Sequence, residues 1–523
     1  MDTTERIFGK SYQGAGTRLF LCVACASCLL SSSSSAARPI NDIYDINIST
    51  IEQNVESAKN LIKDATEISL IDAANQALIN NPLLKTYESL VMAKAWELEA
   101  SKRRWFPSFS ALSSQGAPLL GELFNTTTAE YPNSSGSSDF ATSTYNSSYY
   151  QYSSYLDGNI AADLKWEFYE PTRQPLIQSA KNKFEVSQLQ TIIKARDILL
   201  AVQLAYNSAI ETERLIGIYE ELCKINKQEY VILRAQLRSG LIDVGSVSQQ
   251  ASMWLNQVST LNNLYKANID FASALASAIG LDPGSVILPQ AKHTLNQQIK
   301  VEAWKQSLEE SINLALTNRE EIQAENKDAA AAEWEAIRLK NKYLPIVSLG
   351  GTVTYSRLKG YYEAPVGTDA SPYYSTQSST NATIGLGLEW KLFDGGVNYA
   401  KAKAAKAVSQ SHEEMALAYE LSIGEEVRKS YSARQIAALT IPSNELALQK
   451  AKESLEVARQ RFETGIGNIT TIVQANALVG EAAHQLINNR LNYKNADAQL
   501  YRYTATWPSF VSKTSLANIA TEQ

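Results

Sequence analysis

The chain repeats itself. Ser69-Leu70, Ala77-Leu78, Asn80, Ala93, Trp96-Glu97, Lys102 and Pro107 recur without a gap at Ser307-Leu308, Ala315-Leu316, Asn318, Ala331, Trp334-Glu335, Lys340 and Pro345. Further along, Leu164-Lys165-Trp166-Glu167-Phe168-Tyr169 answers Leu388-Glu389-Trp390-Lys391-Leu392-Phe393, and Ser239-Gly240-Leu241 answers Thr464-Gly465-Ile466. A duplication that runs through helix-like and strand-like stretches in one order dictates a two-fold pseudo-repeat. Its unit is far longer than the roughly 20–50 residues of a solenoid repeat.

Over 523 residues the formal net charge is only −6, so there is no basic field for a nucleic acid, and nucleic-acid binding is not expected. Arg6, Lys10 and Arg18 precede a short apolar run, Leu19 to Leu30, and a small-residue stretch, Ser31 to Ala37. This pattern predicts a cleavable export signal over residues 1–37. The alternative is a lipoprotein signal ending at Cys28, but Cys25-Ala26-Ser27-Cys28 lacks the usual large aliphatic residue three before the cysteine. Cys22, Cys25 and Cys28 all fall in this segment, leaving Cys223 without a disulfide partner in the same chain after cleavage. His293, His412 and His484 are scattered, with no Cys or carboxylate partners at ligand spacing. Neither a metal nor another cofactor is expected, and no catalytic residue stands out. Beyond the signal no run of 18 apolar residues predicts a membrane-spanning helix.

Two periodicities alternate between the repeated landmarks. Ala382, Ile384, Leu386, Leu388, Trp390 and Leu392 share one parity, with Thr383, Gly385, Gly387, Glu389 and Lys391 on the other, as in a strand with one apolar and one polar face. Val347, Leu349, Val353 and Tyr355 alternate with Ser348, Gly350, Thr352 and Thr354, and Ile160, Ala162, Leu164, Trp166 and Phe168 with Asn159, Asp163, Lys165 and Glu167. Such lengths match the roughly 9–11 residues a tilted strand needs to cross a bilayer. The first strand, about Phe106 to Ser114, alternates poorly and is assigned through its repeat partner. Periodicity alone fits a soluble sandwich equally well. The context favours a membrane barrel, because two strand pairs, joined by Ser/Tyr/Gly-rich connections over about Gln115 to Asp157 and Arg357 to Thr380, are each flanked by long helical sequence. Four strands cannot close, since two edges would present unpaired backbone groups to lipid at several kcal/mol each, so the chain is expected to oligomerise.

From about Thr172 to Leu237, and again from Val397 to Phe462, the chain runs with little Gly or Pro. At 1.5 Å per residue each run predicts a helix about 100 Å long. Gly240 and Gly465 then reverse the chain into returning helices that last to about Ala278 and Tyr503, glycine being suited to φ > 0. Gly217 and Pro442 fall at matching places in the long helices and predict a shared bend.

With Trp390-Lys391-Leu392-Phe393-Asp394-Gly395-Gly396 closing the second strand pair and Arg461-Phe462-Glu463-Thr464-Gly465 at the second helix tip, this order of elements resembles the outer-membrane efflux protein family typified by TolC. The resemblance covers about Ser69 to Tyr503. It implies a mainly α fold with membrane β: a homotrimer in which four strands per chain build one 12-stranded barrel in the lipid of the outer membrane, above a periplasmic α-helical barrel made of the long hairpins. It further implies no enzymatic activity, and a passive exit duct for an exported small molecule or polypeptide. A periplasmic adaptor and an inner-membrane transporter, either a pump or an ATP-driven exporter, would be its partners. The corresponding division is a signal at 1–37, an N-terminal periplasmic segment at 38–68, a first repeat at 69–284, a linker at 285–306, a second repeat at 307–504 and a tail at 505–523. The first repeat would hold a strand pair at about 106–169 and a hairpin tip near 240, the second a strand pair at about 344–394 and a tip near 465. Residues before Ser69 and after Trp507 would contribute to a belt around the helices.

By position, the resemblance also marks Gly240, Leu241, Phe462, Gly465 and Ile466 as adaptor-docking tips, although a helix reversal alone would also require the glycines. Asp243, Ser246, Thr471 and Gln474 fall at the expected periplasmic constriction. Family members often carry carboxylates there, where three in a ring attract cations. Here Ser246, Thr471 and Gln474 are neutral, Gly467 stands where an arginine can pair, and Asp243 alone supplies charge. Tyr145, Tyr149, Tyr150, Tyr152 and Tyr155, with Tyr361, Tyr362, Tyr373 and Tyr374, fit either an aromatic girdle or a Ser/Tyr-rich surface loop. Two other functions fit the same residues: a soluble coiled-coil scaffold with attached β hairpins, and a secreted pore-former that inserts only on contact with a target membrane.

Overall fold

The duplicated residues do duplicated jobs. In the computed structural model, which describes residues 47–63, 65–113, 120–132, 146–282, 284–290, 304–362 and 373–511, Ser69 caps one helix and Ser307 another. Each side-chain oxygen accepts a backbone N–H of the first turn, from Asp72 and Glu310, and Glu310 completes a capping box by accepting the Ser307 N–H at 2.9 Å. Trp166 donates its indole N–H to the Trp105 carbonyl at 3.0 Å, and Trp390 donates its own to the Tyr343 carbonyl at 2.9 Å. Both bonds tie the end of a strand to the end of the preceding helix. The expected signal, with Cys22, Cys25 and Cys28, lies outside the described residues.

The chain divides into two units, Met1–Glu52 and Gln53–Gln523. Residues 47–52 of the first are described, and from Ile48 they belong to helix α1 (Ile48–Asn60). In the second unit β1 (Thr66–Ile68) precedes the first repeat, which comprises α2 (Leu70–Asn80), α3 (Pro82–Arg103), β2 (Ser108–Leu112), β3 (Leu120–Pro132), β4 (Asn146–Tyr169), α4 (Arg173–Arg238) and α5 (Val244–Ile279). β5 (Ile287–Pro289) follows, within the stretch expected to be a linker, and pairs in parallel with β1. The second repeat comprises α6 (Leu308–Asn318), α7 (Glu320–Asn341), β6 (Ile346–Tyr362), β7 (Tyr373–Glu389), α8 (Val397–Glu463) and α9 (Ile469–Tyr503).

α4 and α8 are 66 and 67 residues long and run unbroken through Gly217 and Pro442. α4 lies between α3 and α7, and α7 lies against α8. Towards the hairpin tips α9 takes the place of α7, with α5 on the other flank of α4. Three apolar clusters hold this layer. One joins Leu70, Ala74 and Leu78 of α2 to Ile198, Val202 and Tyr206 of α4 and Leu275 and Ile279 of α5. A second joins Leu215, Ile216 and Tyr219 of α4 to Leu261 and Tyr265 of α5 and Ala483 and Ile487 of α9. The third packs Trp304 and Ala315 against Ile423 and Val427 of α8 and Leu500 of α9.

The sheet corrects the expected strand lengths. Its lateral order is β2-β4-β6-β7, all antiparallel, with β3 also on β4. β2 pairs with Ala161–Lys165 and β3 with Asn146–Gly158, end to end along the same edge of β4, so five strands occupy four lanes. The segments expected as connections are largely strand. β4 runs from Asn146, β6 runs to Tyr362 and β7 starts at Tyr373, so the ladder continues well past the apolar alternation. Backbone pairing needs no apolar side chains, which is why periodicity is silent there.

Candidate functional site: sheet face, open edges and helix tips

One face of the sheet is apolar. Along β7 and its continuation, Ile384, Leu386, Leu388, Trp390 and Leu392 share a parity and are all exposed, Ile384 by 78%. The register places Val347, Leu349 and Val353 of β6 on the same face, opposite Leu388, Leu386 and Ala382, with Leu164, Ala162 and Ile160 of β4 beyond them. The other face is polar and internally bonded. Thr352 Oγ1 donates to Asp163 at 2.7 Å, Ser356 and Ser379 share a hydroxyl hydrogen bond of 2.7 Å, and Lys165 pairs with Glu167 at 2.8 Å. An apolar face this exposed is suited to hydrocarbon, and the polar face to an aqueous lumen.

Among the described residues the sheet ends on both sides without a partner: β7 is one edge and the β2/β3 lane the other. The helix layer is open in the same sense. α3 exposes Leu83, Leu90, Met92 and Trp96 at one flank, and α8 exposes Leu421, Ile436 and Leu439 at the other.

At the far end from the sheet the hairpins reverse by the same motif. Gly240 (φ 74°) donates its N–H to the Leu237 carbonyl, and Leu241 donates to Gln236, both at 2.9 Å. Gly465 (φ 79°) donates to Phe462 at 2.9 Å, and Ile466 donates to Arg461 at 3.0 Å. These left-handed glycines close the last helical turn and throw Leu241 and Ile466 into solvent, Ile466 to 84% exposure. Phe462 is half-buried. The second tip is tighter. A Cβ on Gly467 would lie 2.8 Å from the Phe462 nitrogen, whereas Ile242 occupies the matching place in the first.

Asp243 is the N-cap of α5, accepting the Ser246 N–H at 3.0 Å and the Ser246 hydroxyl at 2.7 Å. Those bonds, the hydroxyl's first, hold its carboxyl below the usual range, so it stays charged at neutral pH. Thr471 and Gln474 project exposed from the first turns of α9, and Asn468 caps that helix. Thr470 Oγ1 donates to Gln249 Oε1 at 3.3 Å, joining the first turns of the two returning helices. Asp243 and Ser246 therefore form one hydrogen-bonded pair on α5, and no hydrogen bond joins that pair to Thr471 or Gln474. Of the tyrosines, Tyr361 and Tyr374 meet across strands with ring centroids 5.5 Å apart and planes tilted by 60°, and Tyr145 lies outside the described residues.

Above the tips lies a buried polar layer that periodicity does not reveal. Asn226 of α4 donates to Gln257 of α5 and accepts from Gln250 at 2.9 Å and from Asn476 of α9 at 2.7 Å. Gln250 also donates to Glu229 at 3.1 Å, and Arg459 of α8 pairs with Glu229 at 2.8 Å. All four hairpin helices thus meet through polar side chains. Burial raises the Glu229 carboxyl, against the pull of Arg459. The amide oxygens of Gln250 and Asn476 are buried without a hydrogen-bond partner.

Residues 311–506 match the family described as Outer membrane efflux protein. The structure is similar to the outer-membrane channel CmeC of Campylobacter jejuni (TM-score 0.63, 15% identity, covering 87% of this chain and 89% of that one). It is similar to VceC of Vibrio cholerae (TM-score 0.60, 16% identity, 84% and 96%) and to MtrE of Neisseria gonorrhoeae in its open state (TM-score 0.58, 15% identity, 84% and 89%). This is the fold of a TolC-like outer-membrane channel. No curated protein matches the chain in sequence. In the TolC-like fold the exposed apolar sheet face and the open flanks of the helix layer cease to be anomalies. Both are surfaces that the described residues of one chain leave uncovered.

Proposed function

We propose that three copies of this chain close into a passive exit duct, with a 12-lane β-barrel in the outer membrane and the helical hairpins in the periplasm. The observation that carries this reading is the sheet, with one face apolar and exposed, the other polar, and both edges unpaired. In lipid each unpaired edge group costs several kcal/mol, so closure with copies follows from insertion. Energy would come from an inner-membrane transporter, in a tripartite efflux pump or a type I secretion system, through a periplasmic adaptor seated on Leu241 and Ile466 at the exposed tips. Constriction would fall where the first turns of α5 and α9 meet, at Asp243, Ser246, Thr471 and Gln474. The polar layer around Asn226 suits a gate, because hydrogen bonds between amides can re-pair after a small slide whereas a packed apolar seam cannot.

Reconstitution in planar bilayers tests the reading. Discrete conductance steps are expected, and Thr471→Asp with Gln474→Asp should raise cation preference by adding six carboxylates to the trimer constriction. A protein that extracts without detergent and never conducts would be the coiled-coil scaffold. One that first appears as a soluble monomer and then lyses foreign membranes would be the secreted pore-former.

A further inference from the structure

On β6 the apolar alternation gives way to charge above Tyr355. From Trp390 to the row of Tyr355 and Thr380 is about 33 Å along β7 at roughly 3.3 Å per residue, or about 25 Å across a membrane at the usual tilt of ~40°. That is the height of a hydrocarbon band, and Ile160 of β4 and Tyr355 of β6 form its last row of paired apolar residues, with Leu156 of β4 standing alone two rows above. The next two positions of β6 on the same face are Arg357 and Lys359, both exposed. They lie about 5 and 10 Å above that row, in the headgroup zone at the end away from the helices.

Apart from exposed Leu156, the neighbours of this pair across the ladder are small or carry a hydroxyl. Arg357 stands between Gly158 of β4 and Ser378 of β7, and Lys359 between Leu156 and Thr376. Gly158 has no side chain to crowd the guanidinium, and Ser378 and Thr376 are exposed. No described carboxylate forms an ion pair with either cation, whereas at the other end of the barrel Lys165 pairs with Glu167. Two adjacent outward cations with hydroxyls beside them match the phosphate of a lipid headgroup, since a guanidinium fork binds phosphate in bidentate fashion and an ammonium adds a point charge.

We propose that Arg357, Lys359, Ser378 and Thr376 form a binding site on each protomer for the phosphate-bearing headgroup of an outer-leaflet glycolipid. The inference rests on the outer-membrane barrel reading. The site would anchor the barrel at a fixed height by gripping the leaflet that faces the exterior.

The test is lipid retention by the full-length protein in nanodiscs, comparing the native chain with Arg357→Gln/Lys359→Gln. Nanodiscs would contain either a bis-phosphorylated glycolipid mixed with phosphatidylcholine or phosphatidylcholine alone, and bound lipid would be counted by native mass spectrometry after stripping with mild detergent. The native trimer should retain up to one phosphorylated glycolipid per protomer and little phosphatidylcholine. The variant should retain at least tenfold less while conducting as the native protein does. Equal retention by the variant, or equal retention of phosphatidylcholine by the native chain, would overturn the site. Displacement by millimolar inorganic phosphate would overturn the lipid as occupant and leave a free anion. Failure of both proteins to insert or conduct would instead sink the barrel reading and the site with it, so the two failures are distinguishable.

Discussion

α4 and α8 are repeat partners of nearly equal length, yet they bury different amounts of themselves. α4 buries large side chains along most of its length, among them Leu199, Val202, Tyr206, Leu215, Leu222, Tyr230 and Leu233. Besides Asn398, Val427 and Leu455, α8 buries a narrow seam of mostly small ones: Ala402, Ser409, Ala416, Ile423, Ser430, Ala437, Ala451 and Ala458. These positions keep a strict seven-residue register, with half-buried Asn444 filling the gap, which is the period of a left-handed supercoil with close helix approach. Immediately before four of them stand Val408, Met415, Ile436 and Val457, all exposed. α4 has neighbours of its own chain on both flanks, and α8 has them on one. Duplication supplied two similar helices, and position in the layer left the second with an exposed apolar stripe, which the proposed assembly would cover with another copy.

Substituting equivalent sites in the two helices should separate folding from assembly. Leu215→Asp on α4 would bury an unpaired charge in the cluster with Tyr219, Leu261 and Ile487, at a cost of about 4 kcal/mol or more. Circular dichroism and limited proteolysis should show a chain that does not reach its native state. On α8, Leu421→Asp with Leu439→Asp should leave the protomer's helicity intact, because Leu439 is 76% exposed. Assembly should nevertheless weaken by an order of magnitude or more in crosslinking. If the α8 variant unfolds like the α4 variant, or assembles as the native chain does, the stripe is not an interface.

A third prediction concerns the ties between the repeats. Arg319 bridges Glu321 of α7 and Glu426 of α8, at 2.9 and 2.5 Å, and Arg502 of α9 bridges Glu321 and Asp197 of α4, at 2.7 and 2.8 Å. Burial alone would raise the Glu321 carboxyl, but Arg319 and Arg502 hold it at about 2, below its ordinary 4.5. A depressed carboxyl contributes stability that is complete above its unfolded value and lost as pH falls through its folded one. About 3 kcal/mol should therefore disappear between pH about 4.5 and 2, and Glu321→Gln should remove much of that dependence in denaturant titrations.

The smallest contrast is at the tips. Gly467→Ala forces a Cβ against the Phe462 backbone and should cost about 1 kcal/mol or more, read as faster amide exchange over residues 461–469. Ile242→Ala, in the looser first tip, should leave exchange there nearly unchanged.

What was legible in the sequence had a strong local signal. The long helices follow from runs poor in Gly and Pro, the reversals from Gly240 and Gly465, and the apolar portion of the strands from the alternation of Ile384, Leu386 and Leu388. The strand extensions at Asn146 to Asp157 and Arg357 to Thr380 were not legible, because outside lipid neither face has to be apolar and only backbone pairing holds them. The seam of α8 hides for a different reason. Ala and Ser carry little hydropathy, so a register of small residues barely perturbs a periodicity measure. Asn226, Gln250 and Asn476 read as solvent-facing until the four hairpin helices are placed together.

The central claim is that one chain is an incomplete layer whose two open flanks are closed by copies of itself. The most direct test is the mass of the native protein extracted in mild detergent, measured over a tenfold dilution. Three chains per particle, persisting on dilution, are expected. A monodisperse single chain with its native helix content would contradict it, because the edges of the sheet and the stripe on α8 would then be stable uncovered.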